Sequence, residues 1–137
     1  MGCFVRARFM KSSLIGANFV DANLHSAIFS QANLRDAALI GADLEEADFV
    51  GADLRCASLV GANCMKANLE GANLEDANLT GANLKDANFK GANFKNANLT
   101  NANLEGGNFT GANFEKSNIL GANLKFANLH GTILNIY

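Results

Sequence analysis

The sequence contains no proline and no tryptophan, and its 137 residues include only three cysteines, two histidines and one tyrosine. Each scarcity excludes something. Without Pro, and without a Ser- or Gly-rich linker or a block of like charge, nothing marks a domain boundary, so residues 1–137 are expected to form a single domain. An odd number of cysteines with no CxxC pair offers no disulfide framework and points to a reducing, cytoplasmic setting. Eleven bases against thirteen acids leave a net charge of −2, which argues against a general grip on nucleic acid or on an anionic membrane. Polar residues recur every few positions, so no run approaches a membrane span, and no leader-like region opens the chain. Met1-Gly2-Cys3 suggests a lipidation signal, but such a signal calls for Ser or Thr at position 6, where this chain has Arg6.

What is abundant is one five-residue unit. Every position ending in 4 or 9, from Phe4 to Leu134, is Leu or Phe except Cys64 and Ile119, giving 27 consecutive units without an insertion. Two residues before each of these centres sits Ala, replaced only by Gly2, Ser12, Gly107, Ser117 and Thr132. The residue between them is always Asn from Asn63 to Asn128. A helix cannot use this spacing, because five residues advance about 500° and scatter the centres around the axis. A continuous strand fails as well, since a step of five would turn every second pair outward. The two residues after each centre are therefore corners, and the chain must wind into a solenoid with Ala and Leu or Phe inside.

Glycine occupies alternate corners at 41, 51, 61, 71, 81, 91, 111, 121 and 131, so two kinds of corner are expected, the Gly class with the positive φ of a type II turn. A ten-residue period fits two sides or four. Four is favoured because Phe9, Phe29, Phe49, Phe89 and Phe109 fill five of the seven centres in one twenty-residue register, as rings stacked coil over coil would. With strands about 4.8 Å apart the rod is roughly 30 Å long. Each buried Leu or Phe contributes on the order of 1.5 to 3 kcal/mol before entropy is subtracted. Asn in register is expected to form side-chain ladders between coils.

The tandem A-[ND]-[LF]-x-x pattern resembles the pentapeptide-repeat proteins over essentially the whole chain. The resemblance implies an all-β, right-handed, four-sided β-helix of about seven coils. It also implies varied functions, several members being topoisomerase-protecting DNA mimics, and it offers precedents for end-to-end dimers.

Little in the sequence points to chemistry. His25 and His130 lie outside the coil and far apart, with no third metal ligand at a familiar sequence spacing. Cys64 takes a core position as a small hydrophobe. Cys56 sits on a corner between Asp36 and Asp76 of the adjacent coils, an unpromising place for a nucleophile. The carboxylates lie on the outside of a convex rod. Neither a catalytic group, a metal nor a cofactor is expected.

The surface is more informative. One face carries Val20, Ile40, Val60, Thr80, Thr100 and Leu120 after its centres, and Asn18, Ala38, Ser58, Asn78, Asn98 and Asn118 before them, all uncharged. The other faces carry nearly all the ions, including the alternating column Arg55, Glu75, Lys95 and Glu115. A flat uncharged stripe suits a protein partner, whereas two Thr in six are too few for an ice-binding ladder. An acidic belt of Asp36, Asp43, Glu45, Glu46, Asp48 and Asp53 wraps about one coil. At the C-terminus Phe126 takes a corner, Ile133 replaces Asn, and Ile136 and Tyr137 close the sequence, residues that either fold over the last coil or meet a second molecule; the family resemblance, with its end-to-end precedents, favours pairing with a second copy. The reading favoured is a non-enzymatic interaction scaffold with an unidentified protein partner and no nucleic-acid or membrane contact. The alternative is a DNA-mimicking regulator of a type II topoisomerase such as gyrase, which the weak charge and the belt's shape disfavour.

Overall fold

The computed structural model describes residues 1–134. One unit shows why the chain turns where it does. In residues 73–77 the N–H of Asn73 donates to the Ala52 carbonyl of the preceding coil (2.9 Å), while those of Leu74 and Asp76 donate to Asn93 (2.7 Å) and Lys95 (3.0 Å) of the following coil. The Ala77 N–H closes the corner onto the Leu74 carbonyl at 3.0 Å. That leaves the N–H of Glu75, which the Asn73 side chain accepts through Oδ1 at 3.1 Å. All five donors are satisfied. A buried or half-buried backbone N–H without a partner is costly, so where an Asn precedes the centre, as Asn73 does here, its amide completes the hydrogen bonding of the unit.

Repetition of this pattern produces the coil. The residue before each centre forms a parallel bridge with its counterpart twenty positions on, from Cys3↔Asn23 through to Asn113↔Ile133. Each side is too short for a longer ladder. Four such sides per turn give the four-sided solenoid expected from the Phe register.

The corners are of one kind, not two. The second corner residue has positive φ whether it is Gly or not: 59° at Glu46, 60° at Cys56 and 60° at Asp76, against 65° at Gly41 and 66° at Gly81. Side chains there cost about 1 to 2 kcal/mol each relative to a right-handed conformation, and the inter-coil bonds made on either side of the corner offset it. Among the described residues none of the non-Gly corners with positive φ is β-branched, in line with the severe crowding such residues meet there. Glycine has a second use where an acid overhangs it. The Asp21 carboxyl oxygen lies directly over Gly41, and that of Asp86 over Gly106, where a Cβ would collide.

Inside, the centres and their preceding Ala residues make one continuous core from Phe19 to Phe114. Stacked rings form the expected column: Phe9 on Phe29 (5.0 Å, 11°), Phe29 on Phe49 (4.8 Å, 5°) and Phe89 on Phe109 (5.0 Å, 6°). A second column pairs Phe94 with Phe114 at 4.9 Å and 3°. Cys64 is fully buried in the core, and that burial, with the charge of Asp43 adding to it, pushes its thiol pKa up to about 12. It behaves as the small hydrophobe its position suggests. Where an Ala is replaced by Ser117 or Thr132, the hydroxyl donates to the carbonyl of Phe114 or Leu129, each at 2.9 Å.

Candidate interaction surface

Val20, Ile40, Val60, Thr80, Thr100 and Leu120 follow the centres of a single face, whose residues bridge in one register from Asn18↔Ala38 to Asn98↔Asn118. Val20, Ile40 and Leu120 are exposed, Leu120 at 73%, while Val60, Thr80 and Thr100 are half-buried. The Thr hydroxyls are engaged within the coil: Thr80 donates to Asn78 Oδ1 and Thr100 to Asn98 Oδ1, both at 2.6 Å. Each of these oxygens also accepts the Thr backbone N–H, at 3.1 and 3.0 Å. In the middle of the face Ala38 and Ser58 replace Asn. Among the described residues nothing accepts the N–H of Ile40 or Val60, which leaves two backbone donors within an otherwise apolar stretch.

Asn ladders between coils exist, but on other faces. Asn63 donates to Asp43 (3.3 Å), Asn83 to Asn63 (3.3 Å), Asn103 to Asn83 (3.4 Å) and Asn123 to Asn103 (3.2 Å). Shorter ladders link Asn88 to Asn68 and Asn93 to Asn73, both at 3.1 Å. On the uncharged face, Thr80 and Thr100 already fill the acceptor oxygens that a ladder from Asn98 or Asn118 would need.

Within the acidic belt, Asp43, Asp48 and Asp53 do the corner work of Asn, accepting the N–H groups of Glu45, Val50 and Arg55 at 3.1, 2.9 and 3.1 Å. Its charge is partly matched at the edges. Arg55 grips Asp53 with two bonds of 2.9 and 2.7 Å, and this side-chain contact holds the Asp53 carboxyl below the usual carboxylate range. Arg35 lies 3.8 Å from Asp36. Arg55 thus turns along its own unit, and among the described residues no ion pair links the column Arg55, Glu75, Lys95 and Glu115.

The fold also gathers groups that spacing along the sequence kept apart. His25, Asp43 and Glu45 offer ligand atoms that all lie within 4.8 Å of one another, and Glu46 Oε2 is 4.0 Å from His25 Nε2. One coil separates His25 from Glu45. The signal was available as the twenty-residue column plus its two-residue offset. Nearby, a shallow depression lined by Val20, Gly41, Asn23 and Asp43 runs round the corner from the uncharged face.

At the C-terminal end the inward residues Ile119, Leu124 and Leu129 are only partly buried. Leu120, Phe126, Ile133 and Leu134 are exposed, Phe126 at 77%, with the Lys125 ammonium 5.0 Å from its ring centre. Ile136 and Tyr137 lie outside the described residues.

A family model of pentapeptide repeats, eight copies long, matches residues 3–37, 32–63, 62–101 and 97–135. The chain belongs to the pentapeptide-repeat family. Comparison with curated proteins gave no significant match. Among solved structures it is similar to HetL, a pentapeptide-repeat protein involved in the regulation of heterocyst differentiation in the cyanobacterium Nostoc sp. strain PCC 7120. The two are 29% identical, with a TM-score of 0.55, over 97% of this chain and 74% of HetL. A second Nostoc pentapeptide-repeat protein, alr5209, is 25% identical over 72% of this chain and 82% of its own, with a TM-score of 0.50. A trypsin-treated form of QnrB1, a plasmid-mediated fluoroquinolone resistance protein, matches over 96% of this chain and 69% of its own with a TM-score of 0.58, but at 16% identity it shares the fold alone. The pentapeptide-repeat fold is a right-handed, four-sided β-helix, and this chain is a repeat scaffold of that kind. Among the described residues no helix is long and apolar enough to cross a membrane.

Proposed function

We propose that this pentapeptide-repeat chain is a non-enzymatic scaffold that docks a protein partner through Val20, Ile40, Val60, Thr80, Thr100 and Leu120. One observation carries the reading: all six outward positions of this face are uncharged, although equivalent positions elsewhere accept Glu, Lys and Arg. Side-chain propensity at a corner does not produce that segregation, since the local backbone is the same on every face. The inter-coil hydrogen bonds hold the stripe in one conformation, so a partner meets a surface that loses little entropy on binding. The free N–H groups of Ile40 and Val60 add directional donors. A regulatory role of the sort described for HetL fits such a surface.

The test is capture of partners from source-cell lysate by the native chain and by an Ile40→Lys, Val60→Lys variant. Because Lys85, Lys90 and Lys95 occupy equivalent positions, the variant is expected to unfold within about 1 kcal/mol of the native chain and to lose the partner. Capture of the same protein by both chains would remove the face from consideration. The acidic belt encircles roughly one coil and does not present the lengthwise charge of a double helix, so the gyrase-directed reading gains nothing from the geometry.

A second copy is the proposed partner of the C-terminal end, where Phe126 and Ile133 stand exposed on the last described coil. Light scattering across a concentration series is expected to show a mass twice that of one chain, returning to one in a Phe126→Ser, Tyr137→Asp variant. A concentration-independent single-chain mass for the native protein would overturn the contact.

A further inference from the structure

We propose that His25, Asp43 and Glu45 form a binding site for a divalent transition ion of the zinc type. Their ligand atoms lie within 4.8 Å of one another, and small side-chain rotations bring such a group around an ion with bonds of about 2.0–2.2 Å. An imidazole beside two carboxylates selects zinc or a similar ion over magnesium or calcium, which take oxygen ligands.

The fold does not need the charges found here. Asn23, Asn63, Asn83 and Asn103 do at their positions what Asp43 does at its own, since each Oδ1 accepts the N–H two residues on. The column of Glu45 takes Val5, His25, Met65 and Lys85 in other coils. Asp43 and Glu45 are therefore two carboxylates side by side without a structural reason, and like charges so placed repel. No fixed cation offsets them. The residues one coil away in the same columns are Asn23, Asn63, Met65 and His25 itself, and no Lys or Arg occurs between Arg35 and Arg55. Lys66 lies one coil above Glu46, yet among the described residues no ion pair joins them.

The group is also oriented. Asp43 Oδ1 accepts the Glu45 N–H at 3.1 Å and the Asn63 amide at 3.3 Å, which holds the carboxylate and leaves Oδ2 for an ion. Glu46, 4.0 Å from His25 Nε2, adds a further acid at the rim. Three protein ligands leave coordination positions for water or for a group from a docked partner.

The test is titration of Zn²⁺ alone into chelator-stripped protein at neutral pH, followed by calorimetry. A Cys3→Ser, Cys56→Ser background removes the exposed thiols as competing ligands. One ion per chain is expected. Binding should weaken at least tenfold in His25→Gln and in Asp43→Asn, and stay unchanged in His130→Gln. Asp43→Asn installs the residue its own column already uses, so a folded variant is assured, and matching circular dichroism spectra verify it. Co²⁺ in place of Zn²⁺ should give visible absorption bands that disappear in the same two variants. No uptake, or uptake equal in the native chain and His25→Gln, would overturn the site.

Discussion

Phe89→Ala is expected to destabilise the protein by about 3–5 kcal/mol and to lower the thermal midpoint by on the order of 10 °C. The Phe89 ring has no exposed surface, stacks on Phe109 at 5.0 Å and 6°, and meets Phe94 at 5.0 Å and 55°. Truncation removes all of these contacts at once. Because coils touch only their immediate neighbours, a cavity in the middle of the stack weakens the coupling between its two halves. Two companion variants sharpen the test. Phe89→Leu should cost only about 1 kcal/mol, since Leu69 and Leu129 already occupy this column. Phe9→Ala should cost less than half as much as Phe89→Ala, because Phe9 is only partly buried at the open end. Equal losses at Phe9 and Phe89 in denaturant unfolding would show that stacking within the column is not what holds the coils together.

That column was legible in the sequence because aromatic rings are large and their twenty-residue register is sparse. The corners were less so. Alternating Gly suggested two geometries, yet Glu46 and Gly41 share one conformation, because hydrogen bonding between coils imposes positive φ whatever the side chain. Glycine frequency reported the ease of adopting that conformation, not its presence. The Asn repeat was read as a ladder, and ladders do form. Its more general use, capturing the N–H two residues on, becomes visible only when every donor in a unit is assigned an acceptor. Arg55 escaped prediction for a similar reason: a bidentate grip on Asp53 two residues away is favoured over a stacked partner a coil away. His25 met Asp43 and Glu45 because a solenoid makes neighbours of residues eighteen and twenty apart.

Deleting residues 71–90 is expected to preserve partner capture, whereas deleting residues 71–80 should abolish it. Both deletions begin at Gly71 and rejoin Glu70 to a glycine, Gly91 or Gly81, so every unit and corner retains its local chemistry. Both variants should fold as shorter solenoids. The longer deletion removes one whole coil, since counterparts in the stack are twenty residues apart, and Thr100 then follows Val60 on the uncharged face. The shorter deletion removes half a coil and rotates everything downstream by two faces. Lys90 then follows Val60, while Thr100 and Leu120 move to the opposite side of the rod. Composition is nearly the same in the two chains, and the belt from Asp36 to Asp53 is intact in both. Loss of the partner from the half-coil variant alone would therefore mean that it reads alignment along the stripe. Retention by both would place recognition within the first coils, where the belt and the His25 group remain unchanged.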